Sequence, residues 1–341
     1  MSKPWKIDVP VLLIFFKRDE QFRKTFEAVR KAAPKTLLLW QDGPREGTDD
    51  MEGILKCREI AEGVDWDCEV HKFYNEKNYG CDPSTFYSHK WAFSIVDKCI
   101  VLEDDFVANE SFFPFCKELL DKYENDERIN HICGMNMLGE YKDYPYDYFF
   151  GFTGTNAWAS WKRVVDGWSE DYAYLRDKHN LKNLRSIYGK RFDRWYKSIQ
   201  WHSQSGIPYW ESILCLDSLM NSRLAIIATR NMVENIGMTT DSTHSDAKLE
   251  YLTKTEKRLF NIPTYEMEFP IKHPPYVVAD LEYFKQLDKF FGNGHPFISG
   301  GRKLYHLFKY TIHGEIFKKI ARKLNKHEGA HAHFKEDPKI G

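Results

Sequence analysis

Three adjacent carboxylates, Glu103-Asp104-Asp105, follow the apolar run Cys99-Ile100-Val101-Leu102 and precede Phe106-Val107. Acids crowded at the tip of a buried strand repel one another, and a cation relieves that repulsion. Hard divalent ions such as Mg²⁺ and Mn²⁺ prefer oxygen ligands and commonly share a few protein carboxylates with substrate phosphates. The triplet is therefore a candidate metal site, with one carboxylate on the ion and a neighbour free to bond ribose or sugar hydroxyls. Taken alone, the same triplet also reads as a solvated acidic turn that caps the following helix.

The surrounding elements favour the first reading. Val9–Phe16 is a short apolar run that predicts a buried strand, and residues 20–33 have the spacing of an amphipathic helix. Thr36–Gln41 predicts a second strand, ended by the turn residues Asp42-Gly43-Pro44. A helix over 51–63, an alternating strand over 68–73, a helix over 84–96, a strand over 99–102 and an amphipathic helix over 111–123 follow. This alternation predicts an α/β fold with a mostly parallel, Rossmann-like central sheet flanked by helices. In such sheets ligands sit beyond the carboxyl ends of the strands, where Asp42 and Asp104-Asp105 fall.

The stretch from 140 to 220 is rich in Trp, Tyr and Gly and shows little periodicity, so loops and short elements packed over the sheet edge are expected there. Residues 224–229 predict a last strand. From Arg302 to Lys326, eight Lys/Arg stand against the single acid Glu315, and Leu304, Phe308, Ile312, Ile316, Ile320 and Leu324 recur every four residues. This predicts a basic amphipathic helix that either docks on the body of the protein or lies on an anionic membrane surface. The chain thus divides into a catalytic domain over 1–250 and a C-terminal extension over 251–341.

Composition narrows the classes of function. A net charge of −1 gives no global field for nucleic acid. The seven cysteines are scattered, odd in number and form no CxxC pair, which argues against a disulfide framework or a zinc site. The apolar run near the N-terminus is too short for a signal peptide or a membrane span, so a cytoplasmic protein is expected, with peripheral contact to the inner membrane face through residues 302–326. Aromatics at 16% fit either a heavy core or a cleft whose rings lie against sugar C–H faces.

At this point the residues resemble a known family. The stretch from Ile100 to Tyr123 is similar to the metal-binding segment of GT-A glycosyltransferases, especially the N-acetylglucosaminyltransferase I group and its bacterial relatives. Gln41-Asp42-Gly43, Asn78-Tyr79-Gly80-Cys81, Trp158-Ala159-Ser160-Trp161-Lys162-Arg163 and Asn231-Met232-Val233-Glu234-Asn235-Ile236-Gly237, the last running on to Thr243-His244, resemble further segments of that family in the same order. The resemblance covers about residues 8–245 and nothing beyond.

It implies a GT-A fold and an inverting, metal-dependent transfer of a sugar from a nucleotide-diphosphate donor, with uridine the expected base, to a saccharide or glycolipid acceptor in surface polysaccharide synthesis. It further implies Asp105 as direct metal ligand for Mn²⁺ or Mg²⁺, with Glu103 and Asp104 beside it on the donor, and Asp42 reading the base. His244 would bind metal or diphosphate. Glu211 is the expected base and Asp217 the alternate, because this chain has Glu-Ser where the eukaryotic enzymes have two adjacent Asp. On local sequence each residue keeps a plainer reading: Asp42 as a turn residue, Glu211 as a helix-start acid, His244 as a loop histidine and Asn235 as a backbone-bonding side chain. Two other functions stay open. One is a sugar-phosphate nucleotidyltransferase, which usually carries a Gly-rich loop after the first strand where this chain has Lys17-Arg18-Asp19-Glu20. The other is a non-catalytic carbohydrate-binding protein on a transferase fold.

Overall fold

The computed structural model describes residues 3–152, 154–238, 252–293 and 295–312. Ten strands are present among them: β1 (Val11–Phe15), β2 (Thr36–Gln41), β3 (Glu69–Tyr74), β4 (Lys98–Glu103), β5 (Phe106–Ala108), β6 (Ile129–Cys133), β7 (Tyr148–Gly151), β8 (Trp158–Trp161), β9 (Leu224–Ala228) and β10 (Val233–Asn235). The helices are α1 (Asp19–Ala32), α2 (Met51–Ala61), α3 (Cys81–Ile95), α4 (Phe112–Lys122), α5 (Lys162–Asp166), α6 (Lys178–Tyr188), α7 (Lys190–Ser205), α8 (Trp210–Met220), α9 (Lys254–Arg258), α10 (Leu281–Phe291) and α11 (Pro296–Ile312).

Eight strands form one sheet in the order β3-β2-β1-β4-β8-β6-β9-β7, and β10 and β5 form a second, small antiparallel ribbon. The large sheet is mixed but mostly parallel: all strands but β7 and β8 run in one direction. Its central strands are buried on both faces, which is why β1, β2 and β4 are almost continuous runs of Val, Ile and Leu rather than alternating ones. Helix α1 covers one face by placing Phe22, Phe26 and Val29 inward, with the Phe22 ring stacked 4.1 Å from that of Phe15. This is the α/β, Rossmann-like architecture expected from the alternation of elements.

The stretch from 140 to 220 departs from expectation. It holds strands β7 and β8 and a run of helices, α6, α7 and α8, rather than mostly loops. Helices α6 and α7 bury only Leu181, Leu184, Phe192 and Ile199, so their inward stripes are too thin to stand out among the surrounding Trp and Tyr. Strand β6 carries Asn130 and His131 in its buried middle, which hides it from any search for apolar runs. The C-terminal extension packs on the same core through Ile262, Met267, Ile271, Tyr283 and Phe284, and the Asp280 amide donates to the Phe150 carbonyl at 2.8 Å, beyond the edge strand β7. Helix α11 starts at Pro296, ahead of the expected Arg302; residues 313–326 of the predicted helix lie outside the described residues. No described helix is long and apolar enough to cross a membrane.

Candidate active site

From β1 the chain steps outward to β2 and β3 on one side, while β4 lies on the other. The order therefore reverses between β1 and β4, the place where open α/β sheets bind ligands. Arg18 follows β1 at this point. Glu103, the last residue of β4, pairs with Ile14 of β1, and Asp104 and Asp105 form the turn into β5.

Arg18 bridges the acids at this strand end. Its Nη2 donates to Asp104 Oδ1 in a close ion pair and to Asp105 Oδ2 at 3.0 Å, and its Nε reaches Asp104 Oδ2 at 3.4 Å. Burial works against this guanidinium's charge, but Asp104 and Asp105 more than offset it and hold its pKa above the ordinary arginine value. Asp104 is buried, and burial pushes its pKa up against the pull of Arg18 and of the Phe16 amide. Glu103 is pushed well above the carboxylate range, first by burial and then by the charges of Asp105, Glu211 and Asp104. The triplet is thus short of positive charge even with Arg18 in place.

Asp105 has the surroundings of a ligand. Its Oδ1 is buried and has no hydrogen-bond partner, an arrangement that costs roughly 1–3 kcal/mol unless something fills it. The β5–β10 ribbon holds the residue in place: the Ile236 amide donates to the Asp105 carbonyl at 2.9 Å, and Asn235 Oδ1 accepts from the Gly237 amide at 2.9 Å. Gly237 lies so close that a Cβ there would overlap Oδ2 and stand 2.8 Å from Cγ. Among the described residues no three His, Cys, Asp or Glu side chains form a ready metal cage. An orphaned carboxylate oxygen beside Glu103 suits a hard cation held by one or two carboxylates and completed by ligand oxygens.

Asp42 sits at the end of β2, but its carboxylate is occupied. It accepts from the amides of Gly43 (3.0 Å), Tyr79 (3.0 Å) and Gly80 (3.1 Å) and from Asn78 Nδ2 (3.0 Å). Burial pushes its pKa up to about 7, against the pull of those backbone amides. The carboxylate clamps the loop ahead of α3, where Gly80 has a φ of 85° that only glycine adopts freely. Cys81, the first residue of α3, is raised by burial and by the charges of Glu103, Asp82, Asp104 and Asp105. Asp42 thus shapes this loop through Asn78, Tyr79 and Gly80, and its acceptor capacity is taken up by them.

Glu211 opens α8, exposed, and accepts from the Thr155 hydroxyl at 2.8 Å. After burial, its charge adds to those of Asp105 and Asp104 in raising the Glu103 pKa. Beside Glu211 lies a cavity of about 230 Å³. Asp217, the alternate base, is fully buried two turns down the same helix. It bonds Tyr174 Oη (3.1 Å), Asn221 Nδ2 (3.0 Å) and Arg223 Nη1 (3.4 Å), and so ties α8 to its neighbours with no access to a ligand. That excludes it as a base. His244 lies outside the described residues. Asn235 bonds backbone, as its plainer reading held, and Trp158 and Trp161 are core residues.

No protein-family model matches the chain, and no curated protein matches it. Several solved structures do, faintly. One is 4-diphosphocytidyl-2C-methyl-D-erythritol synthase from Anaerococcus prevotii, at 14% identity and a TM-score of 0.30, covering 50% of this chain and 78% of that one. Another is a UDP-glucose pyrophosphorylase complexed with UDP-glucose, at 8% identity and a TM-score of 0.32, covering 66% and 91%. A third is HddC from Yersinia pseudotuberculosis complexed with GMP-PN, at 8% identity and a TM-score of 0.28, covering 46% and 80%. Likenesses this distant do not assign a reaction.

Two residues of the site escaped the sequence reading. Arg18 was noted only for the absence of glycine around it, although a cation directly after β1 falls at the same sheet edge as the acids. Gly237 stood within a segment of family resemblance, but only its approach to Asp105 explains why a side chain is not accommodated there.

Proposed function

We propose that this chain is a metal-assisted, nucleotide-sugar-dependent transferase that moves the sugar to a saccharide or glycolipid acceptor. The observation that carries this reading is Asp105 Oδ1, buried and unpartnered beside Glu103 at the reversal point of the sheet. Asp105 and Glu103 would hold Mn²⁺ or Mg²⁺, which lends positive charge to a departing diphosphate. Arg18 and Asp104 form the wall beside the donor. The loop that Asp42 clamps borders the place for the base, a uridine by the family resemblance. Glu211, with one oxygen fixed by Thr155, takes the proton from an acceptor hydroxyl as general base. His244 remains a proposed further ligand.

A second reading, nucleotidyl transfer to a sugar phosphate, has on its side the kind of enzyme that the similar structures are. Against it, no glycine follows β1, and the Arg18 guanidinium is committed to Asp104 and Asp105 rather than free for a triphosphate. The experiment runs both reactions on one preparation. UDP release from UDP-sugars, dependent on Mn²⁺ and abolished in Asp105→Ala, supports sugar transfer. Pyrophosphate release from nucleoside triphosphate and sugar 1-phosphate, without the first activity, refutes it in favour of the second reading.

The proposal extends to the cell interior and its membrane. Helix α11 is tied to the body through His306, bonded to Glu256 at 3.2 Å, and through Arg302 on the Phe291 carbonyl, and it leaves Phe297, Leu304, Leu307 and Phe308 exposed. With basic residues and no acid in its described length, it is a candidate for peripheral contact with anionic lipid on the inner membrane face.

A further inference from the structure

The cavity beside Glu211 is lined by polar and aromatic groups that the proposed chemistry does not use. Phe152, Trp195 and Ile199 give it an apolar wall, while Thr155 and Glu211 stand together in its lining. His131 on β6 also lines it, almost fully buried, and its Nε2 has no hydrogen-bond partner.

The protonation of that ring is fixed by a chain of hydrogen bonds running away from the cavity. The Ser218 hydroxyl donates to the Leu214 carbonyl at 2.5 Å, which leaves its oxygen to accept from Asn130 Nδ2. Asn130 is thereby oriented with Oδ1 toward His131 Nδ1, 2.7 Å away. An amide oxygen only accepts, so Nδ1 carries the proton and Nε2 presents a lone pair. Burial pushes the His131 pKa down to about 4, against a weaker pull from the Gly154 backbone, so the imidazole is neutral near pH 7. What Nε2 lacks is a hydrogen-bond donor, and an apolar molecule would leave the nitrogen unsatisfied.

We infer that this cavity is the acceptor pocket, that it takes a single pyranose ring laid on the Phe152–Trp195 wall, and that His131 selects the acceptor by receiving a hydrogen bond from one of its ring hydroxyls. The volume is below the range of about 300–1,000 Å³ usual for drug-sized ligands, which fits one sugar ring better than a longer segment. A ring held there has another hydroxyl within reach of Glu211 at the mouth. The sugar residue in the pocket is then the one that is extended, and the rest of the acceptor lies outside. His131 acts as a positioning and specificity residue, and no proton is transferred to it. The inference rests on the proposed sugar transfer, but it is tested without a donor.

The test uses the full chain and a panel of methyl pyranosides of the common hexoses and N-acetylhexosamines, followed by saturation-transfer NMR. At least one glycoside is expected to bind in the millimolar range. Its affinity should fall at least tenfold in His131→Phe, a variant that keeps the ring volume and is checked for its melting temperature. The ¹⁵N signal of His131 Nε2 should be that of an unprotonated nitrogen and should shift on adding the glycoside, a readout that needs no variant. No binding by any glycoside, equal binding by His131→Phe, or a protonated Nε2 overturns the inference. Glycoside binding in a protein that neither binds nor cleaves nucleotide sugars would sink the proposed reaction and leave the pocket standing. Nucleotide-sugar cleavage without glycoside binding would do the reverse.

Discussion

Gly237→Ala is a small change with a large expected consequence. The added methyl would overlap Asp105 Oδ2 and lie 2.8 Å from Cγ, where ordinary contact begins near 3.4 Å. The β5–β10 ribbon fixes both backbones, so the carboxylate has to rotate away by on the order of 1 Å, a displacement that can cost about 100-fold in a positioned site. That is about 2.7 kcal/mol of transition-state stabilisation. Overpacking adds about 1–3 kcal/mol of lost stability, small enough to leave a folded protein. The assay is Mn²⁺-dependent UDP release from a UDP-sugar, beside the melting temperature with and without Mn²⁺. Turnover should fall by about two orders of magnitude, and the Mn²⁺-induced rise in melting temperature should shrink. Gly300→Ala, in α11 with open space around it, is the control and should change neither. A folded Gly237→Ala protein with wild-type turnover and wild-type metal response would refute Asp105 as the ligand.

Arg18→Met removes the partner of buried Asp104 and half-buried Asp105 and should cost about 3–5 kcal/mol in urea unfolding without metal. Mn²⁺ should restore more stability to this variant than to the wild type, and equal restoration would count against a shared charge-balancing role. His89 is fully buried among Trp158, Trp168 and Trp210, and burial pushes its pKa down to about 3. Because the folded value lies below the unfolded one, its stabilising effect is complete above pH 6.5 and is lost as pH falls toward 3. His89→Leu should therefore gain on the wild type by about 1.4 kcal/mol per pH unit below 6.5, read from urea midpoints at pH 7, 6 and 5. A difference that does not change with pH would contradict the neutral buried ring. For α11, the double change Phe297→Asp and Phe308→Asp should reduce flotation with phosphatidylglycerol vesicles at least tenfold, since each side chain contributes about 1.5–3 kcal/mol when buried. It should spare turnover in solution. Unchanged flotation would end the membrane reading.

The central strands were legible because burial on both faces demands unbroken apolar runs: residues 36–41 have the same bounds in sequence and structure. The acidic triplet was legible as a strand end for the same reason. Strand β6 was not, because Asn130 bonds His131 Nδ1 and Ser218 inside the core, a pairing that only three-dimensional neighbours reveal. The roles of Asp42 and Asp217 also turned on contacts. Both are acids near ligand-side elements, yet one is consumed by loop amides and the other by Arg223, Tyr174 and Asn221. Glu211 differs from Asp217 on the same helix by exposure alone, and helical periodicity over so short a segment does not settle which face looks outward.

The guanidinium seated on Asp104 and Asp105 has a consequence for how the molecule is made. A cluster of acids with no counter-charge of its own would leave the nascent chain dependent on an ion to reach its native state. Here a positive partner, Arg18, is encoded in the chain and offsets part of that charge before any ion arrives. Were the proposed metal to leave with a product, Arg18 would still hold Asp104 and Asp105 together.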